Sequence, residues 1–251
     1  MTLSVVVITK NEAGVIARCL ESVAWADDLI VLDSESSDGT PDIARKLRAR
    51  VATATDWLGF GPQKNRAVDL AAGDWVLSLD ADEWVTPGLR AAIERALAAP
   101  GDNLAFRMPR LSSYCGRFMR HSGWWPDHVT RLFRRGRGRF SDDRVHERMI
   151  VDGPVGTLNE PLLHEAIRDL DEALVKMNAY STAGAMMQRE RGGKASLAGA
   201  AWHGAWTFFR TYVLRGGFLD GREGFMLAVS NAEGAYYRYL KLMLLSERTK
   251  D

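Results

Sequence analysis

Three short runs of almost unbroken apolar residues constrain this chain more than anything else in it. They are Leu3–Thr9 (LSVVVIT), Leu29–Asp33 (LIVLD) and Asp74–Asp80 (DWVLSLD). A strand with one wet face alternates apolar and polar residues. Runs that are nearly continuous and rich in β-branched side chains predict strands buried on both faces, as in a parallel sheet. The stretches between them have helical patterning. Val15, Ile16, Cys19, Leu20 and Val23 fall on one helical face across Glu12–Val23. Asp38 is placed to cap a helix running through Ile43 and Leu47, with Pro41 in its first turn. Pro62–Ala72 reads as a helix stopped by Gly73, and Thr86-Pro87 opens another that carries Leu89, Ile93 and Leu97 to Pro100-Gly101. Strands and helices in alternation predict a doubly wound α/β fold.

The texture changes after about residue 105. From Arg107 to Arg148 there are 11 Arg and no Lys against four acidic residues, with Gly116, Gly123, Pro126, Gly136 and Gly138 marking short strands and loops. Asp169–Met187 has a helical pattern. Ala195–Phe209 is a 15-residue stretch without a formal charge that holds Trp202, Trp206, Phe208 and Phe209, flanked by Arg189, Arg191, Lys194, Arg210 and Arg215. A last amphipathic helix is expected over Phe225–Leu245. The chain has 251 residues, 46% of them hydrophobic, so a sizeable core needs no staples. Cys19 and Cys115 form no C-x-x-C, which fits a reducing compartment, and no basic segment precedes the first apolar run as a signal peptide would require. A net charge of +1 argues against a wholesale nucleic-acid binder.

In open α/β sheets, ligands bind beyond the carboxyl ends of the strands. That rule selects Thr9-Lys-Asn11-Glu12, Asp33-Ser-Glu-Ser-Ser-Asp38-Gly and Asp80-Ala81-Asp82-Glu83. Helix capping accounts for Asp38. It does not account for Asp33 and Asp80, which precede the turn. Two carboxylates one residue apart, as in Asp80-x-Asp82, suit a hard divalent cation that completes its shell with substrate phosphates.

The set Thr9-Lys-Asn-Glu12, Val31-Leu-Asp33-Ser-Glu-Ser-Ser-Asp38-Gly-Thr40, Gln63-Lys-Asn65 and Leu79-Asp-Ala-Asp-Glu83 resembles family 2 glycosyltransferases with the GT-A fold, over roughly the first 110 residues. Val145-His146-Glu147, Leu163-His164 and Gly217-Phe-Leu-Asp-Gly-Arg-Glu-Gly-Phe225 are similar, more loosely, to bacterial lipopolysaccharide-core β-1,4-glucosyltransferases of the WaaE/KdtX type. The resemblance implies a Rossmann-like, mixed but mostly parallel sheet flanked by helices, with a helical C-terminal appendage. It implies a catalytic domain over residues 1–165, divided into a nucleotide-sugar half (1–110) and an acceptor half (111–165). Residues 166–251 would be a helical, membrane-associating region. Thr9, Asn11 and Glu12 would line the nucleotide pocket, and Asp33 would bind the base, uracil through its N3–H. Asp38 would support that loop, while Lys64 and Asn65 would approach the ribose or diphosphate. Asp80 and Ala81 would line the nucleotide site, with Asp80 contacting the ribose or the metal, and Asp82 would hold the metal, Mg2+ or Mn2+.

An inverting transfer needs one general base for the acceptor hydroxyl and charge stabilisation for the departing diphosphate. Glu147 is the expected base, with Asp142 and Asp143 as alternatives; the Glu-Asp pair usual in the family is missing. The activity implied is transfer of a hexose, glucose from UDP-glucose, onto an inner-core sugar of lipopolysaccharide at the cytoplasmic face of the membrane. Another acceptor, such as a capsular repeat, an exopolysaccharide or polyprenyl phosphate, is the nearest alternative. A nucleotidyltransferase would require a Gly-rich loop after the first strand, where this chain has Thr9-Lys-Asn-Glu12. A non-catalytic sugar-nucleotide or lipopolysaccharide binder is a third class.

Some motifs reduce to simpler readings. His146-Glu147 is not a zincin motif, because position 150 is Ile. His164 reads either as a satisfied structural histidine or as a group reaching metal or diphosphate. His121 and His128 are assigned no metal. The Arg-rich segment is either a solvated face or a surface for an anionic, lipid-linked acceptor, since Arg forks bind phosphate bidentately. Ala195–Phe209 is too short to span a bilayer. It is a buried helix or an interfacial one.

Overall fold

A computed structural model of the chain describes residues 1–142 and 147–247. It divides into two compact units: Met1–Arg110 with Asp127–His164, and Leu111–Pro126 with Glu165–Asp251. The strands are β1 (Leu3–Thr9), β2 (Asp28–Asp33), β3 (Arg50–Thr53), β4 (Trp75–Asp80), β5 (Glu83–Val85), β6 (Ala105–Tyr114), β7 (Arg117–Phe118), β8 (Asp127–Arg134), β9 (Gly138–Phe140), β10 (Met149–Val151), β11 (Val155–Thr157) and β12 (Leu162–Ile167). The helices are α1 (Ile16–Ser22), α2 (Thr40–Lys46), α3 (Phe60–Asp69), α4 (Pro87–Ala98), α5 (Leu170–Glu190), α6 (Leu197–Phe209) and α7 (Gly221–Glu247).

In the first unit β3, β2, β1 and β4 lie side by side and parallel, and β8 and then β6 extend the sheet antiparallel. The register brings Thr9 beside Asp33 and Ile8 beside Asp80, so three carboxyl ends of strands come together at one edge. The continuous apolar runs have the cause expected of them. Leu3, Val5 and Val7 pack on one face with Ile16, Leu20, Leu89 and Ile93 from α1 and α4. Val6 packs on the other with Val68 of α3, Val76 and Phe133. Each such fully buried Val, Leu or Ile contributes roughly 1.5–3 kcal/mol relative to exposure. The mixed, mostly parallel sheet flanked by helices is the expected α/β fold.

Local expectations differ at the ends of elements. α1 begins at Ile16 rather than Glu12, because Asn11 takes a left-handed φ of 57° and the next residues turn before helix geometry begins. α3 runs Phe60–Asp69, starting before Pro62 and ending before Ala72. Thr86 caps α4 as expected, its side chain accepting from Leu89 N. The strands β3 and β5 are short and carry no apolar run to announce them.

The second unit is helical, with the Leu111–Pro126 arm packed into it. Tyr114 and Met119 are buried with Ala173 and Leu227. The Gly217–Phe225 motif is a structural joint. A Cβ on Gly224 would lie 1.9 Å from the Gly217 carbonyl oxygen, so only glycine lets the 3-10 turn Gly217–Asp220 sit on α7. Asp220, only 2% exposed, accepts from the backbone N–H groups of Arg120 and His121 and pairs with His121 Nδ1 at 3.0 Å. Among the described residues no helix is long and apolar enough to cross a membrane.

Candidate active site

The site grows from the strand ends of the first unit. At the end of β1, Thr9 Oγ1 donates to Asp33 Oδ1 at 3.0 Å, and Ser36 adds its own N–H and hydroxyl to the Asp33 carboxylate. Asp33 is thereby buried with its oxygens fixed by hydroxyl and amide donors. Asn11 Oδ1 accepts from Ser37 N, which ties the loop after β1 to the loop after β2. Asp38 is exposed and accepts from Ala13 N and from Thr40 N and Oγ1; those hydrogen bonds, led by the Thr40 hydroxyl, hold its carboxyl below the usual range. Thr40 Oγ1 in turn accepts from Glu12 N at 2.8 Å. Thr9, Asn11, Glu12, Asp33 and Asp38 therefore belong to one hydrogen-bonded pair of loops.

The second cluster surrounds Asp80. Lys64, one turn into α3 and 4% exposed, lies 2.8 Å from Asp80 Oδ1 and 2.9 Å from Glu147 Oε1. Arg131 of β8, also buried, donates through Nη2 to Asp80 Oδ2 and to Glu83 Oε1. Glu83 is fully buried, and its Oε2 accepts from Asp80 N at 3.0 Å. Arg110 reaches Glu83 at 3.4 Å and Asp127 at 2.7 Å. Burial pushes the Asp80 carboxyl up, but Arg131 and Lys64 outweigh it and hold it well below the usual carboxylate range. Burial pushes the Arg131 guanidinium down, and Asp80 and Glu83 more than reverse that.

Glu147 reaches this cluster by a close approach of backbone. A Cβ on Gly61 would lie 2.0 Å from the Ser141 carbonyl oxygen and 3.6 Å from Glu147 Cβ. Ser141 N donates to Arg148 O, so the chain on either side of residues 143–146 is held together on α3. Gly61 and Lys64 are three residues apart and share a helix face. The bare face of Gly61 thus delivers Glu147 to the Lys64 ammonium.

Not every expected residue joins the site. Asn65 is 3% exposed and spends both ends of its amide on Phe140, donating to its carbonyl and accepting from its N–H. It clamps β9 onto α3 instead of facing a ribose or diphosphate. Asp142 is exposed and has no hydrogen bond or ion pair among the described residues. Asp143 and His146 lie outside the described residues. Ala81 is buried. Sequence reasoning missed Arg131: it is one of 11 arginines in its segment, and only its pairing with Asp80 and Glu83 distinguishes it.

Among the described residues no group of three His, Cys, Asp or Glu side chains could by itself hold a metal ion. Asp82 and His164 form a smaller set, with His164 Nε2 3.4 Å from Asp82 Oδ2 and Asp82 30% exposed. Their oxygen and imidazole donors fit a divalent cation whose remaining positions go to diphosphate oxygens and water. Both Asp80 oxygens already face Lys64 and Arg131.

A parallel sheet with acidic strand ends and a downstream carboxylate at their edge is the arrangement of a group-transferring α/β enzyme. Residues 4–151 match the family described as Glycosyl transferase family 2, and the chain belongs to that family. An uncharacterized glycosyltransferase of Rickettsia conorii is 31% identical over 267 residues, spanning 99% of this chain and 92% of the relative. The lipopolysaccharide core biosynthesis glycosyltransferase LpsC of Rhizobium meliloti is 29% identical over 262 residues, spanning 99% of this chain and 93% of the relative. Among solved structures, residues 1–349 of S. aureus TarS, in complex with UDP, match with a TM-score of 0.52 at 17% identity, covering 100% of this chain and 92% of that one. That likeness is one of fold, the GT-A fold.

Proposed function

We propose that this glycosyltransferase transfers a hexose with inversion, from a UDP-sugar such as UDP-glucose to an inner-core sugar of lipopolysaccharide. The observation that carries the reading is Lys64, whose ammonium holds Glu147 beside Asp80 at the acidic edge of the sheet. In the proposed reaction the Glu147 carboxylate takes the proton of the acceptor hydroxyl as that oxygen attacks the anomeric carbon from the face opposite the diphosphate. Thr9, Asn11, Glu12, Asp33 and Asp38 form the loops assigned to the nucleotide, and Asp33 is the assigned partner of the base. Lys64 keeps the base at the reacting centre and supplies positive charge beside it. Asp82, with His164, is assigned to a divalent cation, Mg2+ or Mn2+. Such a cation neutralises charge on the departing diphosphate.

The lipopolysaccharide acceptor draws support from the full-length likeness to LpsC. It also draws support from the surface of the second unit, where Trp202, Trp206, Phe209, Val213, Leu214, Phe218 and Leu219 are exposed beside Arg210 and Arg215. Aromatic and aliphatic side chains with neighbouring arginines suit the headgroup level of a bilayer. We therefore assign the chain a peripheral place on the inner face of the cytoplasmic membrane.

A thermal-shift screen of nucleotide sugars with and without Mn2+ tests the donor. A ligand of the folded state raises stability by mass action. Stabilisation by UDP and UDP-sugars, but not by GDP- or CMP-sugars, is expected; no shift with any of them contradicts the donor assignment.

A further inference from the structure

The second unit contains a cavity of about 540 Å³ that shares no residue with the site above. Its walls come from the Leu111–Pro126 arm, α5, the end of α6 and α7. Their charges are one-sided: Lys176, Arg210, Arg215 and Arg238 line it, and no Asp or Glu does. Lys176 is engaged by Glu172 at 2.9 Å and by the Ala166 carbonyl. The three arginines differ. Among the described residues none of them has a carboxylate partner. Arg238 is half-buried, and its Nε is buried with no hydrogen-bond partner. Buried donors are rarely left so, and one that is calls for an explanation such as an ion that belongs there.

The backbone supports the same reading. Arg210–Leu214 is a π-helical segment, closed by Arg215 N donating to Arg210 O at 2.9 Å. Single π turns recur at functional sites. Here the turn brings Arg210 and Arg215, five residues apart, to one cavity. Tyr114 and Trp124 add aromatic rings, in edge contact at 6.1 Å, and the Tyr114 hydroxyl bonds Ser230 at 2.8 Å. Guanidinium forks match phosphate oxygens in pairs. Three forks exceed what one carboxylate uses, whereas a phosphate monoester carries about −1.5 to −2 charges and three strong acceptor oxygens.

We propose that this cavity binds the phosphate of a phosphorylated ligand through Arg210, Arg215 and Arg238. The inference stands apart from the transferase reading and does not depend on Glu147 or Asp82. The phosphate can come from a soluble sugar phosphate or from a lipid headgroup, and two probes separate these. Glucose 6-phosphate is titrated into the full chain by calorimetry, and sedimentation is measured with phosphatidylcholine vesicles with and without phosphatidic acid, whose headgroup is a phosphate monoester. Each is repeated with Arg210→Ala, with Arg238→Met and with the control Arg222→Ala, whose exposed side chain pairs with Glu223 outside the cavity. Melting temperatures establish that each variant is folded. A loss of about tenfold in affinity for glucose 6-phosphate in Arg210→Ala, or for the vesicles in Arg238→Met, with Arg222→Ala unchanged, supports the site and identifies the source. Arg210→Ala is exposed and tests the idea even where Arg238→Met fails to fold. Binding of neither probe, or equal losses in Arg210→Ala and Arg222→Ala, overturns the proposal.

Discussion

Lys64 Nζ lies 2.9 Å from Glu147 Oε1, although the two residues are 83 positions apart in the sequence. The same ammonium meets Asp80 at 2.8 Å, so one buried cation joins the third acidic strand end to the downstream carboxylate. Lys64→Met leaves those carboxylates facing each other without it. We expect kcat to fall by about 100-fold, with a smaller change in UDP affinity, and a stability loss of about 1–3 kcal/mol. Steady-state kinetics and denaturant melts on the same preparation measure both. Unchanged kcat would mean that the bridge is structural only.

Arg131 balances two carboxylates, and one of them, Glu83, is fully buried. Removing one partner of a buried ionic cluster strands the other charge, at a cost of about 3–5 kcal/mol. Arg131→Met is therefore expected to destabilise the chain by that amount, more than removal of the exposed Arg45 that pairs with Asp42. Equal melts for the two variants would contradict the account of this cluster.

Asp80 gives the fold a dependence on acid. Burial raises its pKa, but Arg131 and Lys64 together depress it below the unfolded value of about 3.9. A depressed carboxylate contributes stability that is complete above its unfolded pKa and is lost as pH falls through its folded pKa. The stability gap between the wild type and Asp80→Asn should therefore hold between pH 5 and about pH 4, then narrow as the pH falls further. Chemical denaturation at a series of pH values tests this, and a gap that widens with acid has the wrong sign.

Gly61→Ala tests the route by which Glu147 arrives. The added methyl would meet the Ser141 carbonyl, so the chain around it must shift. Such overpacking costs about 1–3 kcal/mol, and kcat should fall more than the KM for the donor rises. An unchanged kcat in a folded Gly61→Ala would mean that Glu147 does not arrive by this close approach.

Much of the first unit was legible because burial on both faces leaves a direct trace in composition. The runs Leu3–Thr9 and Asp74–Asp80 have few polar residues because α1, α4 and α3 cover them. The strand-end rule then selected Asp33 and Asp80. The ion-pair cluster was less visible. Arg131 sits on β8 far along the chain, and no local pattern ties an arginine to a carboxylate 51 positions away. Asn65 misled for the opposite reason. Its neighbour Lys64 turns toward Asp80, while the Asn65 amide, one step around the helix, is taken by the Phe140 backbone. The helical second unit was legible in outline, since α5 and α6 fall on the stretches expected to be helical, Asp169–Met187 and Ala195–Phe209. Its cavity was not, because its arginines come from the π turn, the residue after it and α7, which only folding brings together.

The central claim is that Glu147 is the base of a glycosyl transfer whose donor is held elsewhere in the site. The most direct measurement is single-turnover transfer from UDP-glucose to an acceptor carrying inner-core sugars, for the wild type and Glu147→Gln, alongside UDP binding to both. The account predicts that Glu147→Gln binds UDP as the wild type does and loses transfer by a factor of about 100 to 10,000. Near-normal turnover in Glu147→Gln would contradict it.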